Sequence, residues 1–358
     1  MHHQKNEQRL KKILLVAGGL AIVVMMYVLF IKMKNLSIQA LISSVGFKNL
    51  IIAFSLLLCS ELVRAVRLTI ILRSIGVKVT LKTTLIARLV GDTAGLLSPS
   101  NLAAEPARVL TLASIHGLPL EVFGAAGLLE SLYDFMSISI IALIAASLFI
   151  PASIPVLVVD IVLMLLWAAG LLGLVYKESV WRRIVCRLTK KLSPRIQEIV
   201  VERYRLFTRF IKENTNIKLH TISVALTILS LLLISASFIP LENSSCTEGF
   251  LCRRSLNRLI LYLVAYSMGS IMSALPTPGG SGFFEYGLSV SLPPSIVASW
   301  RMVFILFSIV PTLLILLFMA RLRSRVLRNL EKSLFHMLEE NNNNQLFLMR
   351  KQKSSKTL

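Results

Sequence analysis

The chain has 358 residues, of which 55% are hydrophobic and 16% are charged, whereas an ordinary soluble domain carries about 25% charged residues. The formal net charge of +21 fits either a nucleic-acid partner or an anionic membrane surface. The basic residues lie mainly between long apolar runs and form no nucleic-acid-binding motif. The composition therefore excludes an ordinary soluble domain, and we expect no nucleic-acid partner.

Apolar runs near the roughly 20 residues that a membrane-spanning helix needs occur along most of the chain. They are 13–31, 50–72, 122–150, 156–176, 219–240, 259–275 and 299–320. The first run follows Lys11 and Lys12, as a signal peptide would, but it is longer than a usual signal core and precedes Lys32 and Lys34 rather than a cleavage site. The sequence favours a retained helix, with a signal peptide as the alternative.

Basic residues beside these runs predict the orientation, because cytoplasmic loops are enriched in Lys and Arg. They are dense in the loop 177–218 and in the tail after Arg321, so we predict a multi-pass protein of the cell membrane with both termini cytoplasmic. An integral membrane domain would span 1–330, and a basic, disordered tail 331–358. Within the loop, apolar residues of 196–211 at helical spacing predict an amphipathic helix on the anionic inner leaflet, although a plain basic loop also fits.

Two interrupted segments predict re-entrant hairpins. Cytoplasmic termini require an even number of crossings, so the run 259–275 is expected to turn back at 275–282, where prolines and glycines interrupt a helix. The stretch 85–97 is expected to turn at 98–101 and return through Glu105 and Arg108. Hairpins that enter from opposite faces are typical of inverted-repeat transporters, whereas surface loops between tilted helices are the alternative. We predict an all-α polytopic helix bundle with two re-entrant hairpins in an inverted-repeat arrangement.

Charged residues inside the predicted helices mark the candidate site, since a central charge costs about 2.5–3.5 kcal/mol on the insertion scale. Glu61 and Arg64, three residues apart, are predicted to pair, and Arg67 to snorkel towards the cytoplasm. Asp160 and Arg301 are expected at the membrane interface. The predicted buried set is Glu61, Arg64, Arg67, Arg88, Asp92, Glu105, Arg108, Glu130, Asp134 and Glu285. It fits either a functional site or a purely structural ion-pair network.

Four motifs carry a family resemblance. They are Arg-Ala-Val-Arg at 64–67, Glu-Pro-Ala-Arg at 105–108, Glu-Ser-Leu-Tyr-Asp at 130–134, and Pro-Thr-Pro-Gly-Gly-Ser-Gly-Phe-Phe-Glu at 276–285. In this order they resemble the transmembrane region of lysylphosphatidylglycerol synthases, a flippase-like domain family, over nearly the whole chain, and the last motif is the most specific. The resemblance implies translocation of a charged lipid, such as an aminoacylated phosphatidylglycerol. The chain is expected to be the stand-alone membrane part, without the aminoacyl-transferase domain. Where the family often has Gly-Gly-Asp or Gly-Gly-Glu, this sequence has Ala103-Ala104-Glu105.

The predicted substrate site comprises Arg64, Arg67, Glu105, Arg108, Glu130, Asp134, Pro278, Gly279, Gly280 and Glu285. Its guanidinium groups suit a phosphate, and its carboxylates suit an ammonium group or a coupling proton. We expect no metal, no cofactor and no direct use of ATP, because no metal-ligand cluster or nucleotide-binding loop is present. The leading hypothesis is a lipid flippase or transporter rather than an enzyme. An intramembrane lipid-modifying enzyme and an accessory subunit of a lipid synthase are alternatives, and a homo-oligomer stays open.

Overall fold

A computed structural model describes residues 45–118, 120–176, 217–242, 255–277 and 279–318. Every regular element in these ranges is helical, which confirms the all-α prediction. The elements are α1 Phe47–Ser74, α2 Leu81–Leu96, α3 Ala104–His116, α4 Leu120–Leu148, α5 Ile154–Tyr176, α6 Ile217–Ala236, a 3-10 turn Ile239–Leu241, α7 Ser255–Met272, α8 Phe283–Ser289 and α9 Pro294–Phe318. The predicted first helix 13–31, the amphipathic segment 196–211, the tail 331–358 and Pro278 lie outside the described residues.

Long apolar helices form the frame of the protein. In the described ranges, four stretches are long and apolar enough to cross a membrane: Phe47–Ser74, Leu120–Leu148, Ile217–Leu241 and Pro294–Ile315. Each overlaps one predicted apolar run. Their outer faces carry exposed large apolar side chains such as Ile51, Ile144, Leu229 and Leu313. Such a surface is stable only when lipid or another apolar partner covers it, so the prediction of a polytopic helical membrane protein is confirmed.

Helix α1 lies in the middle of the bundle and packs against α2, α4, α6 and α9. Its contact with α6 uses small hydroxyl residues: Ser223, Thr227 and Ser230 are buried on one face of α6 because they are three to four positions apart. Ser60 of α1 donates a hydrogen bond to the Ser230 carbonyl at 3.1 Å. Small polar residues let membrane helices approach closely while their hydroxyl groups stay hydrogen-bonded.

Helices α2, α3 and α8 are short. The side chain of Thr80 accepts a hydrogen bond from the Thr83 N–H and starts α2, and Gly117, with a φ of 68°, ends α3 in the left-handed conformation. The 16 residues of α2 rise only about 24 Å, less than the roughly 30 Å of a hydrocarbon core. Helices α2 and α3 pack against each other, as do α7 and α8, so the chain turns back where the sequence predicted, and the re-entrant depth of these helices stays a prediction.

The turn 97–103, between α2 and α3, contacts the turn 273–282, between α7 and α8. The Gly279 N–H donates to the Ser98 carbonyl at 2.9 Å, and the Ser100 N–H donates to the Thr277 carbonyl at 3.0 Å. Gly279 has a φ of 57°, and a Cβ there would lie 2.7 Å from the Leu96 carbonyl oxygen. Only glycine permits both this conformation and this approach, so two distant segments form one structural unit.

A stack of aromatic rings fixes α9 against the end of α6. The Trp300 ring stacks on Phe238 at 4.7 Å and on Phe304 at 5.1 Å between centroids. The buried Trp300 Nε1–H donates to Ser237 Oγ at 2.8 Å, which satisfies the one polar group of the indole. Phe304 is thereby held at a defined position, where it forms part of the wall of the cavity described below.

The backbones of α7 and α8 touch through Gly269 and Gly287, because a Cβ on Gly287 would lie 2.6 Å from the Met268 carbonyl oxygen and 2.7 Å from the Gly269 Cα. We therefore expect Gly287→Ala to lower the free energy of unfolding by about 1–3 kcal/mol. Gly124→Ala, on α4 where a Cβ meets nothing within 4 Å, is expected to be neutral or slightly stabilising. Thermal unfolding in detergent measures both, and equal melting temperatures would contradict the close approach.

Candidate functional site

A buried network of charged side chains lies where α1, α2, α3 and α4 meet. We call it the charge network, and each member pairs with at least one other within 4.0 Å. Its members are Glu61, Arg64, Arg67, Arg88, Asp92, Glu105, Arg108, Glu130 and Asp134. The sequence predicted all of them as buried charges. The Glu285 that was predicted with them lies in a separate ion pair.

Glu130 is the centre of the charge network. Its carboxylate accepts hydrogen bonds from Arg88 Nη1 at 2.5 Å, Arg67 Nη2 at 3.0 Å and Arg108 Nη1 at 3.0 Å. The Glu130 side chain is fully buried. These three arginines come from three different helices, so one carboxylate of α4 joins α1, α2 and α3.

Arg67 does not snorkel, and that prediction is wrong. Its side chain is fully buried and forms a two-point contact with Asp134, with N–O distances of 2.6 and 2.9 Å. It also donates to Thr227 Oγ1 of α6. Glu130 and Asp134 lie four residues apart on one face of α4, so together they balance the guanidinium charge and hold it inside the protein.

Arg88 and Arg64 share Glu61. Arg88 Nε donates to Glu61 Oε2 at 2.7 Å, and Arg64 Nη1 donates to Glu61 Oε1 at 3.2 Å. The predicted Glu61–Arg64 pair is confirmed. Arg88 is paired with two carboxylates, Glu61 and Glu130. Among the described residues, Arg64 contacts only the Glu61 carboxylate, through Nη1, and its Nε–H is buried without a hydrogen-bond partner.

Arg108 forms the opposite edge of the charge network. It donates to Glu105 at 2.6 Å and lies 3.5 Å from Asp92. Ser131 also donates to Glu105, at 2.9 Å. A Cβ on Gly127 would lie 2.8 Å from Glu105 Oε2, so the missing side chain at Gly127 makes room for this carboxylate. The 3.5 Å contact of Asp92 with Arg108 is the longest ion-pair distance in the charge network.

A cavity of about 190 Å³ adjoins the charge network. Its polar wall contains Glu61, Arg64, Asp92 and Asn101. Its apolar wall is formed by Leu57, Leu96, Ile234, Tyr266, Phe304 and Phe307. Arg67 and Arg88 do not line it, so Arg64 is the guanidinium group that the cavity exposes among the described residues. One space is thus lined by both charged and apolar side chains, which suits an amphipathic ligand.

A second buried ion pair holds the turn 273–282. Arg301 Nε lies 2.9 Å from Glu285, and its Nη2 donates to the Gly279 carbonyl and to Ser281 Oγ, each at 2.9 Å. Glu285 also accepts the Gly282 N–H at 2.6 Å. The Arg301 side chain is buried in the protein, and its guanidinium lies over the Phe304 ring at 5.5 Å. Arg301 was expected at the membrane interface, whereas its side chain is enclosed by other parts of the protein.

The structure separates the predicted site residues into three groups. Arg64 lines the cavity, and Arg67, Glu105, Arg108, Glu130 and Asp134 belong to the charge network behind it. Gly279, Gly280 and Glu285 shape the turn 273–282. Sequence reasoning left Asp92, Asn101 and Tyr266 out of the site, although Asp92 was among the predicted buried charges. For Asn101 the sequence does contain one signal that could have placed it in the site, namely its position just after Pro99 in a predicted turn.

Fold and site together define a multi-pass membrane protein with charged side chains in its interior. The family described as Lysylphosphatidylglycerol synthase TM region matches residues 14–299, so the chain belongs to that family. No curated protein matches the sequence, and no solved structure does. The resemblance drawn from the four motifs is confirmed.

Replacing Glu130 tests its central role. Glu130→Gln leaves three buried guanidinium groups with one carboxylate fewer, and breaking a buried ion pair typically costs about 3–5 kcal/mol. We expect a large loss of folded protein, measured as the monodisperse fraction after heating in detergent. Glu105→Gln is the matched control, because this side chain is 36% exposed and should tolerate the change. Equal losses in both variants would contradict the assignment.

Proposed function

We propose that this protein moves a lipid with a polar headgroup between membrane leaflets, and that the headgroup binds in the cavity beside Arg64. The observation that carries the proposal is the amphipathic cavity itself. It brings Arg64, Asp92 and Asn101 together with apolar side chains inside a bundle of membrane helices. Ionisable groups inside membrane proteins usually mark a pathway for a polar substrate.

Arg64 is the anchor proposed for a phosphate group. A guanidinium carries five N–H donors, and Arg64 commits Nη1 to Glu61 while its Nε–H has no partner. The remaining donors can hold a phosphate at two points. Arg67, Arg88 and Arg108 each contact two or more carboxylates, so we assign them to support of the site rather than to the headgroup.

The two turns are proposed to control passage. Leu96 and Asn101, at the turn 97–103, line the cavity, and the two backbone hydrogen bonds to the turn 273–282 close this side. Each such bond contributes about 0.5–1.5 kcal/mol, so thermal motion together with lipid binding can break both bonds and separate the two turns. We infer that both hairpins are re-entrant, since irregular backbone at membrane depth is tolerated where it lines a cavity.

Leaflet exchange in proteoliposomes tests the proposal. Purified protein is reconstituted with fluorescent short-chain phosphatidylglycerol and its lysylated form, and quenching of the outer leaflet by dithionite follows the exchange. Losing a charge-assisted hydrogen bond costs about 1.5–3 kcal/mol, so Arg64→Gln should slow exchange about tenfold or more. Lys48→Gln removes an exposed cation from the same helix and should leave the rate unchanged.

The outcomes separate the rival functions. Equal rates in the Arg64→Gln and Lys48→Gln variants, both above protein-free vesicles, would overturn Arg64 as the headgroup ligand. A wild-type protein that is folded but no faster than protein-free vesicles with either lipid would count against translocation and favour an accessory role in lipid synthesis. Conversion of either lipid into a new product would favour an intramembrane enzyme.

A further inference from the structure

The charge network is not electrically balanced. Its five carboxylates, Glu61, Asp92, Glu105, Glu130 and Asp134, face four guanidinium groups, Arg64, Arg67, Arg88 and Arg108. Fully ionised, the described members therefore carry one excess negative charge. Guanidinium groups keep their protons in proteins. Because an uncompensated charge away from water is costly, the network needs either one proton or one added positive charge.

Asp92 is the place where this positive charge fits. Glu130 accepts three arginines, Asp134 has a two-point contact with Arg67, and Glu61 accepts two arginines. Asp92 has only the 3.5 Å contact with Arg108 among the described residues. Its side chain is 19% exposed and lines the cavity, so it can be reached by a ligand or by water.

Asp92 is surrounded by charged groups on several helices. The groups facing it are Glu61 and Arg64 of α1, Arg88 of α2 and Arg108 of α3, with Glu105 beside Arg108. Tyr266 of α7 lines the same cavity. Helix α9 also packs against α2, and its one ionisable side chain in the described range, Arg301, is paired with Glu285. No described group therefore supplies the missing positive charge.

We propose that Asp92 is an exchange site. It binds either one proton or a lipid headgroup with one net positive charge, but not both at once. In the empty cavity the Asp92 carboxyl group holds the proton. A cationic headgroup binds with its phosphate at Arg64 and an ammonium group at Asp92. The Asp92 O–H bond breaks, the carboxylate pairs with the ammonium group, and the proton passes to water. Lipid movement would then be coupled to proton movement in the opposite direction, an inference that rests on the proposed function.

The headgroup dependence follows from the charge count. Lysylated phosphatidylglycerol carries one net positive charge and should displace the proton. Phosphatidylethanolamine is zwitterionic and phosphatidylglycerol is anionic, so neither balances the network, and the proton should stay. Binding of short-chain forms to the detergent-solubilised protein is measured in dilute buffer with a pH indicator. We expect release of about one proton for each bound lysylated lipid and almost none for the other two lipids.

Asp92→Asn and Asp160→Asn form a matched pair. Asp160 is another buried carboxyl group, hydrogen-bonded to Ser139 Oγ at 2.7 Å and outside the charge network. Proton release should be lost in Asp92→Asn and retained in Asp160→Asn. Infrared spectra of the ligand-free protein supply a second readout, because a protonated carboxyl band should disappear in Asp92→Asn and remain in Asp160→Asn.

Each outcome decides part of the inference. Binding of the lysylated lipid by the wild type without proton release overturns the exchange, and a protonated carboxyl absorption that is the same in Asp92→Asn as in the wild type overturns Asp92 as its site. If none of the three lipids binds but the Asp92 band is present, exchange with these headgroups fails while the protonated site stands. Leaflet exchange that persists without proton release leaves the proposed function intact. If Asp92→Asn does not fold, proton release by the wild type with lysylated but not with unmodified phosphatidylglycerol still decides the exchange.

Discussion

The convergence of three arginines on the Glu130 carboxylate is the interaction on which the bundle depends. A guanidinium group inside a membrane helix is unfavourable alone, and in surroundings of low dielectric constant its attraction to a carboxylate is correspondingly strong. Arg67, Arg88 and Arg108 come from α1, α2 and α3, and each meets Glu130 of α4. These helices are therefore far more stable in the membrane when they are packed together than when they are separate. This explains why charged residues occur inside the apolar runs.

In the proposed function, support and binding are divided between different charges. Arg67 and Arg88 are fully buried, each is paired with two carboxylates, and neither lines the cavity, so we assign them to fixing helix positions. Arg64 and Asp92 line the cavity with part of their hydrogen-bonding capacity unused. A rigid inner layer that holds a partly unsatisfied outer layer is the arrangement that preorganised binding sites require. The apolar residues that line the same cavity would suit the glycerol and acyl part of the proposed lipid.

Local patterns in the sequence predicted the local features of the structure. Apolar runs located the long helices, proline and glycine located the turns, and the spacing of Glu61 and Arg64 gave their ion pair. The wrong prediction for Arg67 concerned a distant partner: Arg67 was assigned to the membrane surface because Asp134, 67 positions away, cannot be recognised from spacing. The cavity required the same long-range information, since Asp92 of α2, Asn101 of the turn 97–103 and Tyr266 of α7 come together only in the folded bundle.

Gly279 connects the two buried ionic centres through its own peptide groups. Its N–H binds the Ser98 carbonyl next to the cavity, and its carbonyl accepts Arg301, which is paired with Glu285. Arg301 also lies over Phe304, a residue of the cavity wall. A displacement of the turn 273–282 would therefore strain the Arg301 contacts and the Gly279 hydrogen bond to Ser98 in the same movement. Such a shared backbone link would let binding at the proposed headgroup site bias the position of the second turn without a separate signalling residue.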